Sequence, residues 1–319
     1  MTTAHVSVVI DNYNYGRYLG QAIESVLSQD FTGRLEIVVV DDGSTDDSRR
    51  VIASFGDRIR HVFQDNQGQA TAFNAGFKET LGQFICLLDS DDYWPKDKVR
   101  KVVALFEDPS VGVVQHLLQD VDREGAPLPR RMPAWPPTYT IENFLERRTH
   151  FTATSGLAFR KSVLDRILPI PKDVFYYLDD LLFVKALLLS RAANLPEVLG
   201  YHRIHDRNFC AGGYLDPRKL ELDLRMRTLF NSEIDPLLAR SGLRRSERFE
   251  IEEDLESARR RILLHMHRGE RGRAAGEWLG MLQRHGTRRH GLFRIATCSL
   301  ALLSLPLYMR CYETYSRRP

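Results

Sequence analysis

The sequence predicts an α/β protein, with a mostly parallel central sheet followed by a helical C-terminal extension. Three observations carry this expectation. Short β-branched runs alternate with helical periodicity over the first hundred residues, a spacing that builds right-handed βαβ units and a parallel sheet. Three of those runs end in acidic loops. Beyond Pro217 the pattern turns wholly helical. The composition, with 43% hydrophobic and 27% charged residues in 319, excludes a disordered, collagen-like or repeat chain. The length exceeds what one compact core usually fills, so a sizeable domain with an appendage is expected.

The elements follow in order. Val6 to Ile10 reads as a fully buried strand. After the loop Asp11 to Gly16, Leu19, Ala22, Ile23, Val26 and Leu27 recur at helical spacing. Leu35 to Val40 is a second buried strand, and Asp41 to Asp46 a polar turn where Ser44 or Thr45 can cap the helix through Val51 and Ile52. A third strand over Arg60 to Gln64 leads to Asn66-Gln-Gly68 and a helix presenting Ala70, Phe73 and Phe77. Phe84 to Leu88 is a fourth strand running into Asp89-Ser-Asp-Asp92. A helix from Pro95 to Glu107, a strand over Val111 to Leu117 and a loop with five prolines over 122–137 come next. A helix from Thr140, an extended run over Thr154 to Arg160 and a helix through Val163 and Ile167 follow. Asp179-Asp180 then opens an apolar helix to about Leu189, and Val198 to His205 is the last strand. The chain is expected to divide into an α/β domain over residues 1–214, in two halves covering 1–117 and 118–214, and a helical extension over 215–319.

In parallel sheets, ligands bind beyond the carboxyl ends of the strands. The acidic loops at Asp11, at Asp41 and Asp42, and at Asp89, Asp91 and Asp92 should therefore gather on one edge. Carboxylates gathered without an intervening Lys repel one another unless a cation or ligand fills the space. Asp89-Ser90-Asp91 is the sharpest signal. Two carboxylates two residues apart after a strand can turn towards one hard cation, and Mg²⁺ or Mn²⁺ favours oxygen ligands shared with substrate phosphates. The plainer alternative is a solvated turn, with Asp92 as a helix cap.

Four segments together, Val6 to Asn14, Ile37 to Asp46, Asn66-Gln-Gly68 with Asn74-Ala-Gly76, and Leu87 to Asp92, resemble the GT-A family 2 glycosyltransferases in order and spacing. The resemblance spans about residues 5 to 210. It implies a GT-A fold, Rossmann-like and typical of nucleotide-diphospho-sugar transferases, of the bacterial cell-surface polysaccharide type. It also implies inverting transfer of one sugar from a nucleoside diphosphate, UDP above all, with Mg²⁺ or Mn²⁺ as cofactor. Carried over by position, Asp11 and Tyr13 would meet the base and Asp42 its edge, with Asn66 and Gly68 in the same nucleotide set. Asp89 would face the ribose or sugar, and Asp91 would bind the metal. The family usually has Pro-Thr or similar small residues where this chain has Asp11-Asn12, an extra acid at the base pocket.

Inverting transfer is a single displacement, so the acceptor hydroxyl needs a base opposite the leaving diphosphate. Asp180 matches the family's base by position, with Asp179 as its support; the plainer alternative is that both acids cap a helix. His202-Arg203-Ile204-His205 resembles the family's Arg-x-His segment, which gives Arg203 to the diphosphate and His205 to the metal. Trp94, Thr154 and Ser155 are candidate acceptor contacts beside the Pro-rich loop. The acceptor is expected to be a hydroxyl on a lipid-linked or cell-surface glycan precursor.

Other chemistries lack their signatures. No GxxxxGK[ST] loop, GxGxxG after the first strand, or GxSxG elbow occurs. The rival readings are a nucleotidyltransferase, which needs a Gly-rich loop with a Lys after the first strand, and a non-catalytic sugar-nucleotide or partner-binding module of the same fold. The Gln-x-x-Arg-Trp segment of processive synthases is also missing, and no run of 18 apolar residues occurs, which favours addition of a single sugar.

Charge is unevenly spread. Residues 255–319 carry +9, all from Arg, and the first 254 carry −6. A basic tail of interleaved apolar and Arg residues suits a helix lying on an anionic membrane surface. The alternatives are packing on the catalytic domain or on a second copy of the chain in an oligomer. A nucleic-acid partner is not expected, since no aromatic platform or known motif accompanies the arginines. Cys86, Cys210, Cys298 and Cys311 show no metal-binding spacing and read as thiols of a reducing compartment. The N-terminus lacks a signal-peptide pattern, so the expected location is the cytoplasm, peripheral on the inner face of the plasma membrane.

Overall fold

The computed structural model describes residues 4–206, 208, 216–286 and 289–316; Cys210, Arg288, Arg317 and Arg318 lie outside them. Contacts divide the chain into two compact units, Met1–Phe144 with Arg148–His205, and Leu145–Arg147 with Asp206–Pro319.

The first unit is built on β1 (His5–Asn12), β2 (Arg34–Asp42), β3 (Arg60–Gln64), β4 (Phe84–Asp89), β5 (Val111–Val121), β6 (Thr138–Tyr139), β7 (Leu157–Arg160) and β8 (Arg191–Arg203). They form one sheet in the order β3-β2-β1-β4-β7-β5-β8-β6. The pairs β1/β2, β1/β4, β2/β3 and β5/β8 are parallel, and β7 and β6 run against their neighbours. The mostly parallel α/β sheet expected from the sequence is therefore present. β1 and β4 are buried on both faces, which is why they read as continuous apolar runs rather than alternating ones.

Helices α1 (Gly16–Leu27), α2 (Ser48–Ser54), α3 (Gln69–Glu79) and α4 (Lys98–Leu105) cover the first half of the sheet. The α1 face of Leu19, Ala22, Ile23 and Val26 joins Val8, Ile10, Cys86 and Leu88 in one core. In the second half, α5 (Ile141–Leu145), α6 (Lys161–Ile167) and α7 (Leu178–Leu187) follow the Pro-rich loop.

Several boundaries differ from the expected ones for local reasons. Ser44 and Thr45 do not cap α2: the Asp46 carboxylate accepts from Ser48 N–H at 2.9 Å and from Gly16 N–H at 2.9 Å, tying the starts of α1 and α2 together. Residues 95–97 form a turn before α4. Thr154–Gly156 is a tight 3-10 turn, and only Leu157–Arg160 is extended. β8 starts seven residues before the expected Val198, because it pairs with β5 from Val111 onward through three irregularities that alternation alone does not reveal.

The second unit holds α8 (Pro217–Arg240), α9 (Glu247–His267), α10 (Arg271–His285), α11 (Arg289–Leu303) and α12 (Leu305–Ser316). Asp216 caps α8, with Pro217 in its first turn, and Ser246 caps α9. Leu255, Ala258, Ile262, Ala274, Met281, Ile295 and Cys298 form its core. Charge is folded into this unit. Glu256 meets Arg259 at 3.1 Å and also pairs with Arg260 and Arg294, while Asp223 meets Arg227 at 2.9 Å and pairs with Arg260. Arg261, Arg268, Arg273 and Arg284 have acidic partners as well. Seven of the arginines counted as a basic tail thus have acidic partners within this unit, with Arg268, Arg273 and Arg284 pairing on its exposed surface. Among the described residues, no helix is long and apolar enough to cross a membrane.

Candidate active site

Strand register assembles the acidic edge. In the β1/β4 pair Asp11 lies opposite Asp89, in β1/β2 Asn12 lies opposite Asp41, and in β2/β3 Asp42 lies opposite Gln64. Each acid sits at or just beyond the end of an apolar strand, so the sheet delivers them to one edge.

Asp11 and Asp89 face each other half-buried across adjacent strands, and two such carboxyl groups cannot both ionise cheaply. Burial pushes Asp11 up to about 7, with hydrogen bonds to Gln69 and Asp89 acting against the rise. Burial raises Asp89 well above the carboxylate range, and the fields of Asp11, Asp92, Asp91 and Asp179 add to it. Gln69 Nε2 donates to Asp89 Oδ1 at 3.1 Å, and Asp89 N–H donates to Ser155 Oγ at 3.0 Å. Asp11 Oδ1 is buried and has no hydrogen-bond partner.

The neighbouring acids support loops. Asp41 accepts from Asn12 Nδ2 at 2.9 Å and from Ser44 N–H at 3.0 Å. Asp42 accepts from Gln64 Nε2 at 2.6 Å and from the backbone N–H groups of Gln67 and Gly68 at 2.9 and 2.7 Å. It thereby shapes the 64–68 loop that carries Asn66 and Gly68. Gly43 sits there at φ +79°, with Asn66 N 2.6 Å from where a Cβ would stand, so only glycine fits without moving that backbone. Tyr13 is 46% exposed at the edge of this region, and Asn66 is exposed.

Asp91 and His205 meet directly, with Nε2 and Oδ2 3.0 Å apart and both side chains buried. The His205 ring stacks on Tyr18 and tilts over Tyr15, each with centroids 5.3 Å apart. Arg203, expected at the diphosphate, is buried and occupied with the protein itself. Its guanidinium donates to Asp91 O at 3.0 Å, Arg123 O at 2.7 Å and Gln21 Oε1 at 2.7 Å, and it lies over Tyr18 and Tyr93. Its N–H donates to Asp92 Oδ1 at 2.9 Å. This geometry makes Arg203 a clamp on the loop that carries Asp91.

Asp179 and Asp180 open α7 after Tyr177, whose backbone is left-handed at φ +62°. That conformation is unusual for an aromatic residue and is found most often where a site dictates the backbone. Asp179 Oδ1 accepts Asp180 N–H at 3.0 Å. Burial raises Asp179, and its charge is felt at Asp89, which joins this pair to the acidic edge.

Three expected acceptor contacts occupy supporting places. Trp94, Thr154 and Ser155 are buried. Trp94 Nε1 donates to Ser155 O at 3.0 Å, and the buried Lys98 ammonium lies 3.3 Å from the centre of its ring. Ser155 thus supports Asp89 and Asp92, and Trp94 steadies Ser155. The sequence reading passed over Gln69, which the Asn66-Gln-Gly68 motif could have flagged as its next residue. It also passed over the pair His202 and Asp120, which meet at 3.0 Å with Arg130 on the same carboxylate oxygen. No local pattern reveals that pair, because only the β5/β8 pairing joins its members.

A family model described as Glycosyl transferase family 2 matches residues 7–168, half of the chain. The chain belongs to glycosyl transferase family 2. An "Uncharacterized glycosyltransferase" of Nostoc sp. is 38% identical over 212 residues, 64% of this chain and 66% of that protein. The chain spans about two thirds or less of the curated relatives it matches, down to 17% for one of Rickettsia felis. Among solved structures, S. aureus TarS 1–349 in complex with UDP-GlcNAc superposes with a TM-score of 0.59 at 20% identity, over 93% of this chain and 91% of that one. The mannosyltransferase PcManGT from Pyrobaculum calidifontis, in complex with GDP-Man and Mn²⁺, gives 0.58 at 20% identity over 98% and 84%. These two share the fold, which is the GT-A fold expected of family 2.

Family 2 implies a divalent cation, and the donor set fits one. Asp91 offers carboxylate oxygen and His205 offers imidazole nitrogen, a combination that suits Mn²⁺ and, through the oxygen, Mg²⁺. The unpartnered Asp11 Oδ1 leaves a further buried acceptor on the same edge. Among the described residues, no group of three or more His, Cys, Asp or Glu side chains forms a closed cage.

Proposed function

We propose that this family 2 member is an inverting glycosyltransferase that moves one sugar from a nucleoside diphosphate, UDP as the first choice, to a hydroxyl acceptor. The observation that carries the reading is the convergence of Asp11, Asp89 and Asp91 at adjacent strand ends, with the field of Asp179 reaching Asp89. The ligands of the two solved relatives, a UDP sugar and a GDP sugar with Mn²⁺, support a nucleoside-diphospho-sugar donor.

Asp91 and His205 would hold Mg²⁺ or Mn²⁺, whose charge offsets that of the departing diphosphate. Asp180 takes the proton from the acceptor hydroxyl, and Asp179 fixes the start of α7 from which Asp180 projects. Tyr13 and Asn66, exposed on the rim, contact the base. Asp42 and Gly68 shape the loop around it, and Asp89 with Asp11 faces the ribose or sugar. Arg203 keeps Asp91 in place, so its part in diphosphate binding is indirect. Rate is gained by positioning and charge neutralisation, without a covalent intermediate. The acceptor is a lipid-linked or cell-surface glycan precursor, reached by an enzyme peripheral on the inner face of the plasma membrane.

The test is a thermal-shift screen with Mn²⁺ across UDP-, GDP- and dTDP-sugars, followed by transfer assays. One donor should raise the melting temperature in proportion to its concentration over Kd. Asp91→Ala and Asp180→Asn should each lower turnover by at least about a hundredfold with folding intact. Normal turnover in both variants would overturn the assignment.

A further inference from the structure

The transfer site leaves one surface of the helical unit without a role. Of nine large apolar side chains exposed among the described residues, six lie between residues 279 and 307: Leu279, Leu282, Leu292, Phe293, Leu303 and Leu307. Scattered apolar side chains are normal, but a cluster of this density marks an interaction surface. On α11 the exposed positions Leu292, Ala296 and Leu303 share one face, while Ile295, Cys298 and Ala301 on the other are buried in the bundle. Phe293 at 71% and Leu303 at 82% exposure stand out furthest, and Leu307 is exposed on α12, just past the break at Ser304.

Charge selects the occupant. No Asp or Glu occurs between Glu277 and Glu313, and the same stretch carries Arg288, Arg289 and Arg310 besides Arg284 and Arg294, which pair with Asp254 and Glu256. Residues 206–319 together hold 22 basic against 15 acidic residues. Two copies of the chain joined through this face would bring two positive units together and pay for it in repulsion. An anionic lipid surface satisfies both features at once, apolar side chains at the acyl boundary and arginine charge among the headgroups. The helices are too short and too interrupted to span a bilayer, so they would lie in its plane.

We propose that the α11 face of Leu292, Phe293 and Leu303, continued by Leu307, inserts into the interface of an anionic bilayer. This deepens the membrane placement suggested above and is independent of the transfer chemistry. The full chain is floated with vesicles of phosphatidylcholine alone or mixed with phosphatidylglycerol, without donor or acceptor present. Partition should favour the anionic vesicles and weaken with salt. Phe293→Asp/Leu303→Asp should lower partition by at least about tenfold while circular dichroism and melting temperature hold, since both side chains are solvent-exposed. Phe293→Trp should show blue-shifted emission on anionic vesicles only. Binding by the wild type that the double substitution leaves unchanged overturns this surface while sparing the membrane placement. Failure of the wild type to bind overturns both. A change in oligomeric state without a change in vesicle binding assigns the face to a second copy.

Discussion

Asp120 and His202 show how a residue pair can store pH dependence. Burial opposes charge on the His202 imidazole, but the hydrogen bond to Asp120 and the fields of Asp92, Asp120 and Asp91 outweigh it and push the group up to about 9. A histidine raised above its unfolded value of about 6.5 adds stability that is complete below that pH and is lost as pH rises through 9. The wild type should therefore lose roughly 1–2 kcal/mol between pH 6.5 and 9.5, discounted for the part of the ring that water reaches. Asp120→Asn should flatten that slope; melting temperature against pH for both proteins reads it directly, and parallel curves would remove His202 as the source. The thiols make a second residue-scale prediction. Burial pushes Cys298 up to about 11, and Cys86 is buried, whereas Cys311 is exposed. Iodoacetamide at pH 8 should modify the Cys311 peptide in minutes and leave the Cys86 and Cys298 peptides unmodified in the native protein, as peptide mass mapping will show. Equal labelling of Cys298 would mean that the bundle core opens on that timescale.

Two glycines, on helices packed against opposite faces of the sheet, separate what a helix needs from what its packing allows. A Cβ at Gly76 of α3 would stand 2.4 Å from Val9 Cγ1 and 3.1 Å from Val40 Cγ2, both on stiff β-branched residues of the sheet. At Gly20 of α1 the nearest atom, Val51 Cγ1, is 3.8 Å away. Gly76→Ala should cost roughly 1–3 kcal/mol through overpacking. Gly20→Ala should be neutral or stabilise by up to about 1 kcal/mol, because alanine is the better helix former. Urea midpoints compare the two, and loss of stability from both would refute the packing account. The elements that the sequence made legible are those whose pattern is local. β1, β2 and β4 are continuous apolar runs, α1 has its stripe, and the acids follow directly on strand ends. What stayed hidden depends on partners distant in sequence. The full length of β8 is set by pairing with β5, the two-residue strand β6 exists only against β8, and Asp46 ties the start of α2 to Gly16, 30 residues away. The same division explains the site: Asp89 and Asp91 could be read from their own segment, whereas burial of Trp94, Ser155 and Arg203 could not.

For the whole molecule, the charge count foretold two different halves but not the use made of the arginines. A run of Arg looks the same in sequence whether it faces solvent or a buried carboxylate. The helical unit spends much of its charge internally, with Glu256 at the centre: Arg259, Arg260 and Arg294 all pair with it, and Arg260 also reaches Asp223. Removing one member of a buried network strands the others, which costs more than the network adds when intact. Glu256→Ala should therefore destabilise the helical unit by about 3 kcal/mol. Glu277→Ala, which breaks only the partly exposed pair with Arg261, should cost less than about 1 kcal/mol. Hydrogen exchange separates the two units: amides of α8 to α11 should lose protection in Glu256→Ala, while those of β1, β2 and β4 keep theirs. Stabilisation by the donor sugar should persist in the same variant, because every residue assigned to the donor belongs to the α/β unit. If Glu256→Ala and Glu277→Ala cost the same, the network contributes no more than a surface pair. The basic composition of this unit would then answer mainly to the surface it meets, and the vesicle experiments would carry the whole account of its charge.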